Sequence, residues 1–358
     1  MNASLVDIDD LYVLNYCARF LARGTSEPRH DFGQFTPDDR RAMICESWRF
    51  PIVDSYFDGV SIENSYRYNT VTFVYDGRAE RPTSVEVVGT FGDLYDPLTL
   101  RPIRFLGDET GYLALAVRVP KARVYRYRFA VDGRWLVDPV NPQHERVDNG
   151  ELWSRFFTDG CQVPLVLNRR ERDILGRMVA HLLPFRLPEN WTFVDRAYND
   201  LDHRASRDRR HFPLPYRLDR EVGVVNYIDK LLARGEQHHA DDYHVCLGLV
   251  DALLRDRYSG LDPCMLPTDA YQGLYQEMDA DEVHGWDNLR YGSPRFFLLL
   301  LRRHAMTGAF THPKSGGNSG AVAWAYLESR FRDENDETLF DWRRAIEAPL
   351  GHNTDYRG

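Results

Sequence analysis

The spacing of apolar and polar positions divides the chain into three stretches. In residues 1–66, Leu11, Leu14, Tyr16 to Phe20 and Leu21 form an apolar helical run that stops at Gly24. Thr36-Pro37-Asp38-Asp39 predicts a second helix, with an N-cap followed by proline and first-turn acids. This stretch reads as helical and irregular, an extension that packs on a neighbour. From Tyr68 the period shortens to two. Val71–Tyr75, Ser84–Gly89, Tyr112–Val117 and Tyr125–Val131 are rich in β-branched and aromatic residues, while Asp76-Gly77, Gly107-Asp108 and Asp132-Gly133 supply turns. Short strands at this spacing predict a β-sandwich over 67–160, with a hairpin across Asp132-Gly133 into Arg134–Leu136 and Val137.

Residues 150–162 read as the sandwich's end and a linker, and helical periodicity fills 163–358. Asn168 to Glu171 has capping-box spacing, and Ile174, Leu175, Met178, Val179, Leu182 and Leu183 share a face before Pro184. Leu187–Pro215, rich in Arg, Asp, His and Pro, reads as a long surface excursion. A helix over Glu221–Ala233 places Val225, Ile228, Leu231 and Leu232 on one face, with Gly235 as its stop. Others are predicted over Asp241–Tyr258 and after Pro267. Ser293 and Pro294 then start a helix that should end near Gly308. Its run Phe296–Leu301 is too broad for a helix packed on one side, so this helix is central or meets a partner. Pro313, Gly316, Gly317 and Gly320 forbid regular structure after it and predict a shaped loop. The fold class is therefore α+β and multidomain, a β-sandwich followed by an all-α domain.

Composition narrows the function. A length of 358 residues exceeds the usual single domain, and 43% hydrophobic with 28% charged residues is ordinary for a soluble protein. A net charge of −9 with no basic block argues against nucleic acid. No apolar run approaches the ~18 to 20 residues of a membrane helix, which excludes insertion by that route. The start of the chain has no cationic and apolar export signal, so a cytoplasmic protein is expected, with export alongside a partner left open. Cys17, Cys45, Cys161, Cys246 and Cys264 are scattered without a CxxC pair and read as free thiols.

Catalytic signatures are missing from the sequence. It has no GxGxxG after a strand, no GxSxG and no HExxH. The loop after Pro313 lacks the order of a phosphate-binding loop and reads as a tight connection between packed helices. His238, His239, Asp241, Asp242 and His244 form the densest group of metal-ligand types, but 239 and 244 are offset by five and do not share a helical face. They read as a solvated helix start, and no metal is expected. His304 reads as a hydrogen-bonded core residue.

Two resemblances add to this. Phe296, Phe297, Leu299, Leu300, His304, Gly308, Phe310, Pro313, Gly316, Gly317, Asn318 and Trp324 resemble the C-terminal signature of the gluconate 2-dehydrogenase subunit 3 family. The resemblance implies a small, non-catalytic subunit that binds a larger FAD-dependent oxidoreductase of the glucose–methanol–choline type. FAD would sit on that partner, and no catalytic residue would be carried here. Phe296, Phe297, Leu300, His304, Phe310, Pro313, Gly316, Gly317, Asn318 and Trp324 would then form or shape the docking surface. In the sandwich, Val88–Gly92, Tyr127–Trp135 and Asp138–Pro142 resemble the immunoglobulin-like early-set module of glycogen-branching enzymes. That resemblance implies sugar contacts through Trp135, Arg128 and Asn149. The module's other tryptophan would fall near Leu94 or Tyr95, and neither is Trp. The expected function is an accessory subunit. A glucan-binding targeting protein and an independent enzyme of another type stay open as alternatives.

Overall fold

The computed structural model describes residues 4–21, 49–55, 67–141, 143–183, 222–311, 315–318 and 322–339. The helix expected after Thr36, the excursion 187–215, Cys45 and Pro313 lie outside them. The described residues fall into two units, one running to Val163 and the other starting at Pro164.

The first unit contains β1 (Ser4–Val6), α1 (Asp10–Phe20), β2 (Ile52–Ser55), β3 (Tyr68–Asp76), β4 (Val85–Gly89), β5 (Leu98–Thr99) and β6 (Arg101–Phe105). It continues with β7 (Asp108–Pro120), β8 (Val124–Val131), β9 (Arg134–Leu136), β10 (His144–Arg146) and β11 (Leu152–Phe157). One sheet has the order β1-β7-β3-β2, with β6 also on β7; the other has the order β10-β11-β8-β4-β5, with β9 also on β8. Val71, Phe73 and Tyr75 of the first sheet share a core with Val85, Val87, Tyr127, Phe129 and Phe156 of the second, so the two pack face to face. Phe73 sits at the centre, its ring 4.8 Å from that of Tyr127 and 5.0 Å from that of Phe91.

One expectation is corrected here. The first 66 residues are not purely helical, because β1 pairs with β7 and β2 pairs with β3 at the edges of the first sheet. Those segments are too short to announce themselves by period, and their backbone groups are satisfied only by the long strands they join. The stretch 150–162 supplies the sandwich's last strand, in keeping with its reading as the sandwich's end. Its alternation sends Phe156 into the core, and β11 pairs with β8 from Ser154 opposite Tyr127 to Phe157 opposite Val124. The predicted hairpin forms. Asp132 and Gly133 have φ of 47° and 77°, the left-handed pair a tight hairpin turn requires. Asp9 caps α1 by accepting from Leu11 N at 2.9 Å, and Val13, Cys17 and Phe20 bury against Ile52, Val74 and Ile103 on the outer face of the first sheet.

A polar network lies inside this unit. Tyr127 OH donates to Asp138 Oδ2 at 2.6 Å, Asn141 Nδ2 donates to Tyr127 OH at 3.0 Å, and Asp138 N donates to Ser154 Oγ at 2.7 Å. It ties the segment after β9 to the core, since every partner is fully buried.

The second unit contains α2 (Arg169–Leu182), α3 (Val224–Leu232), a 3-10 turn (Gln237–His239), α4 (Ala240–Arg257), α5 (Thr268–Ala280), α6 (Pro294–Phe310) and α7 (Val322–Arg330). The capping box forms as expected: Asn168 Oδ1 accepts from Glu171 N at 3.0 Å and Glu171 Oε2 from Asn168 N at 2.8 Å. Helix α3 departs from its expected one-sided pattern. Asn226, Asp229 and Lys230 are buried along with its apolar residues. Asp229 explains how a charged position is tolerated there: its carboxylate accepts from Leu165 N, Val166 N and Leu167 N at 2.8 to 3.0 Å, with Lys230 Nζ at 3.2 Å. A buried carboxylate with this many partners anchors the chain entering α2.

Burial pushes the Asp138 carboxyl from 3.8 up to about 6, against the pull of its hydrogen bonds. A raised value means the folded state holds the proton more tightly, so this contribution to stability is complete below 3.8 and is lost as pH rises through about 6. The stability of the wild type relative to Asp138→Asn should therefore fall between about pH 4 and pH 6. Thermal unfolding of both proteins across that range checks it, and a difference independent of pH would refute it.

Candidate functional site

Helix α6 begins as its sequence dictates, with Ser293 Oγ accepting from Phe296 N at 3.2 Å and Pro294 in the first turn. It runs past Gly308 to Phe310. Gly308 serves packing, not termination: a Cβ there would lie 2.5 Å from Cδ1 of Tyr227 on α3. The loop then folds back on the same point. A Cβ on Gly317 would lie 2.1 Å from Gly308 O, closer than any side chain can come to backbone. Asn318 N donates to Gly308 O at 2.9 Å, its Nδ2 donates to Thr311 O at 2.9 Å, and its Oδ1 accepts from Ala323 N at 2.9 Å. Gly316 O accepts from Asn226 Nδ2 on α3, and Trp324 Nε1 donates to Phe310 O. The loop is the tight helix connection expected of it.

This geometry sorts the expected docking residues. Phe297, Leu300, His304, Gly317, Asn318 and Trp324 are enclosed by their own unit, so they shape a surface from within. Phe310 and Gly316 are half-buried. Phe296 faces outward at 48% exposure, joined on one helical stripe by Leu299 at 50% and Met306 at 44%. The run Phe296–Leu301 thus does both things its breadth allowed, packing inward through Phe297, Leu298, Leu300 and Leu301 and leaving apolar side chains outside.

A partly buried polar cluster lies beside this stripe, where the 3-10 turn meets α4 and α6. Arg303 NH2 donates at 2.8 Å both to Glu236 Oε2 and to His304 Nε2, and His304 Nδ1 is 2.9 Å from Tyr243 OH. His239 Nε2 approaches Glu236 Oε2 at 3.5 Å, and its Nδ1 is 2.5 Å from Asp242 Oδ2. Burial alone would raise the Glu236 carboxyl, but His304, Arg303 and His239 together pull it down to about 2. Burial holds the His304 imidazole below its ordinary value despite Glu236. Glu236 is therefore ionised, with Arg303 as a counter-charge, and the His304 ring lies between Arg303, Glu236 and Tyr243. The core reading of His304 agrees with this. Glu236 escaped sequence reasoning because only α-helical spacings were compared; the i, i+3 register of a 3-10 turn brings 236 and 239 together.

The sheet unit presents a second surface. Trp135 pairs with Ala130 on β8 and is 48% exposed. Arg128 projects to the same outer face, because Tyr127 and Phe129 point into the core. Trp153, adjacent to Ser154 in its pairing with Tyr127, also faces outward and stands beside Arg128, whose guanidinium is 5.7 Å from its ring. The two tryptophans are thus about two residues apart along β8, roughly 7 Å. Glu151 links Trp153 to Arg128: it pairs with Arg128 NH1 at 3.2 Å and accepts from Trp153 Nε1 at 3.3 Å. Asn149 lies in the exposed turn before β11, where its Oδ1 accepts from Glu151 N at 3.0 Å. Leu94 and Tyr95 are exposed between β4 and β5. Trp153 was missed because the pairing of β11 with β8, which spacing along the chain does not reveal, is what sets it beside Arg128.

Comparison with known proteins gives one family. Residues 213–328, about a third of the chain, match the gluconate 2-dehydrogenase subunit 3 family. Every residue of the signature from Phe296 to Trp324 lies inside that span. No curated protein matches the chain. Among solved structures, the enterobactin esterase of Shigella flexneri is similar at 17% identity and a TM-score of 0.21 in its form with 2,3-dihydroxy-N-benzoyl-glycine, and at 16% and 0.21 in its form with enterobactin. Each covers 25% of this chain, and the chain spans 30% of the esterase. A likeness this low carries no argument. No helix among the described residues is long and apolar enough to cross a membrane.

The close packing at Gly317 predicts that Gly317→Ala lowers stability by about 1–3 kcal/mol or more, because the obstructing atom is backbone and cannot swing away. Gly248, exposed within α4 with open space around it, is the contrast. Gly248→Ala should stabilise by about 0.5–1 kcal/mol. Melting temperatures of the two variants check both signs.

Proposed function

We propose that this chain is a non-catalytic accessory subunit of a FAD-dependent oxidoreductase of the glucose–methanol–choline type, acting on a sugar or related alcohol. The observation that carries the reading is the subunit 3 match over 213–328, which covers α3 to α6 and the loop closing on Gly308. The outward stripe of Phe296, Leu299 and Met306 supports it, since a lasting subunit contact needs apolar area outside. In this reading the helical domain of 163–358 docks, the partner holds FAD and accepts the hydride, and the early-set sandwich of 67–160 is carried alongside in the cytoplasm. Residues Phe297, Leu300, His304, Gly317, Asn318 and Trp324 fix the shape of the docking face, and Phe296 is part of it.

Gentle purification of the tagged chain from its source tests this. A stoichiometric larger protein with a flavin spectrum that bleaches on adding sugar is expected, and a Phe296→Asp/Leu299→Asp variant should lose it while still folding. A colourless chain, stable by itself, would overturn the reading.

One observation favours a second reading, that the sheet unit holds saccharide. Trp135 and Trp153 offer two aromatic faces on one surface, with Arg128 and Glu151 beside Trp153 for hydroxyl groups. Trp153 stands in for the second platform absent near Leu94 and Tyr95. Each single Trp→Ala change should weaken retention on a glucan gel by about 2- to 10-fold. Retention that is absent in the wild type, or as strong in both variants as in the wild type, would remove this reading and leave the docking reading untouched.

A further inference from the structure

We propose that Glu236, His238 and His239 form a binding site for a divalent transition metal, with Zn²⁺ the ion their donor types fit. Their ligand atoms, one carboxylate oxygen and two imidazole nitrogens, all lie within 4.8 Å of one another. Around a tetrahedral ion with bonds of about 2.0–2.2 Å, donors stand about 3.3–3.6 Å apart. The Glu236–His239 pair is already at 3.5 Å. The ring of His238 lies 4.1 Å from that of His239, which sets the third donor beside the first two.

The surroundings fit a ligand set better than a plain surface cluster. Asp242 holds His239 through Nδ1 at 2.5 Å, which leaves Nε2 directed at Glu236. A carboxylate behind a histidine in this way fixes its tautomer and raises its basicity, the usual outer partner of a ligating imidazole. Two imidazoles and one carboxylate suit zinc and its neighbours over calcium or magnesium, which favour oxygen. Three protein donors also leave a fourth position for water or for a group from another molecule.

Arg303 is the competing cation. It donates to Glu236 Oε2 at 2.8 Å and is 30% exposed in its side chain, so it can leave toward solvent. His304 Nε2 is also 3.3 Å from that oxygen and 2.8 Å from Arg303 NH2, but the ring is buried and its Nδ1 faces Tyr243, so His304 belongs to the core network. Metal binding therefore exchanges one positive partner of Glu236 for another. This makes a prediction that a generic histidine patch does not: removing the guanidinium should tighten binding.

The test is titration of the intact, metal-free chain with Zn²⁺ by calorimetry and with Co²⁺ by visible absorption, with melting temperature as a check of folding. One ion per chain is expected. His238→Ala and His239→Ala should each weaken binding by about 100-fold or more, and Asp242→Asn by about 10-fold. Arg303→Gln should strengthen it, and the exposed His284→Ala should leave it unchanged. Zinc should raise the melting temperature of the wild type and not that of His238→Ala. No saturable uptake by the wild type, or uptake that survives both histidine substitutions in folded protein, would overturn the proposal. The measurement needs no partner, so its outcome is separate from that of the accessory-subunit reading.

Discussion

The helical unit depends on one close approach. Tyr227 of α3 lies against Gly308 of α6, and the loop after α6 returns so that Gly317 lies on the Gly308 carbonyl. No residue with a Cβ fits at either place. Asn318 then converts the approach into hydrogen bonds, taking up Gly308 O, Thr311 O and Ala323 N from the end of one helix to the start of the next. Because the three segments meet at backbone, the arrangement cannot relax by rotating side chains. The outward stripe on α6 inherits its position from this contact.

Charge inside the same unit reinforces that placement. Asp229 gathers three backbone N–H groups ahead of α2, and Glu236 gathers Arg303 beside His304. Removing the Lys230 partner from the fully buried Asp229 would leave that carboxylate short of a counter-charge, at a cost of about 3–5 kcal/mol. These groups therefore resist small displacement of α3 against α2 or of the 3-10 turn against α6. The polar cluster and the apolar stripe are neighbours on α6, with His239 and Phe296 rings 6.4 Å apart. Any molecule covering the stripe would come up against Glu236, His239 and Arg303.

The sheet unit follows a different rule. Its outer face is built by alternation alone: residues that point away from Tyr127, Phe129 and Phe156 must share the opposite face. Trp135, Arg128 and Trp153 come from three strands, yet pairing to β8 brings them together. Both units thus combine a rigid interior with a surface patch whose composition differs, apolar and histidine-rich in one and aromatic and charged in the other.

Strong local signals were legible in the sequence. The long strands β3, β7 and β8, the Asp132-Gly133 hairpin, the Asn168 capping box and the Ser293 start of α6 each follow from a few neighbouring residues, because turn conformation and helix capping are local physics. The family signature from Phe296 to Trp324 was legible too. What the tertiary structure decided was everything that rests on distant partners. Short β1 and β2 exist only because β7 and β3 lend them hydrogen bonds, and Asp229 is tolerated only because three N–H groups 62 to 64 residues away reach it. Trp153 joins Trp135, and Glu236 joins His239, through register across a sheet and a tighter helical turn. Period along the chain does not encode such register, since it is set by which backbone groups find each other when the core closes.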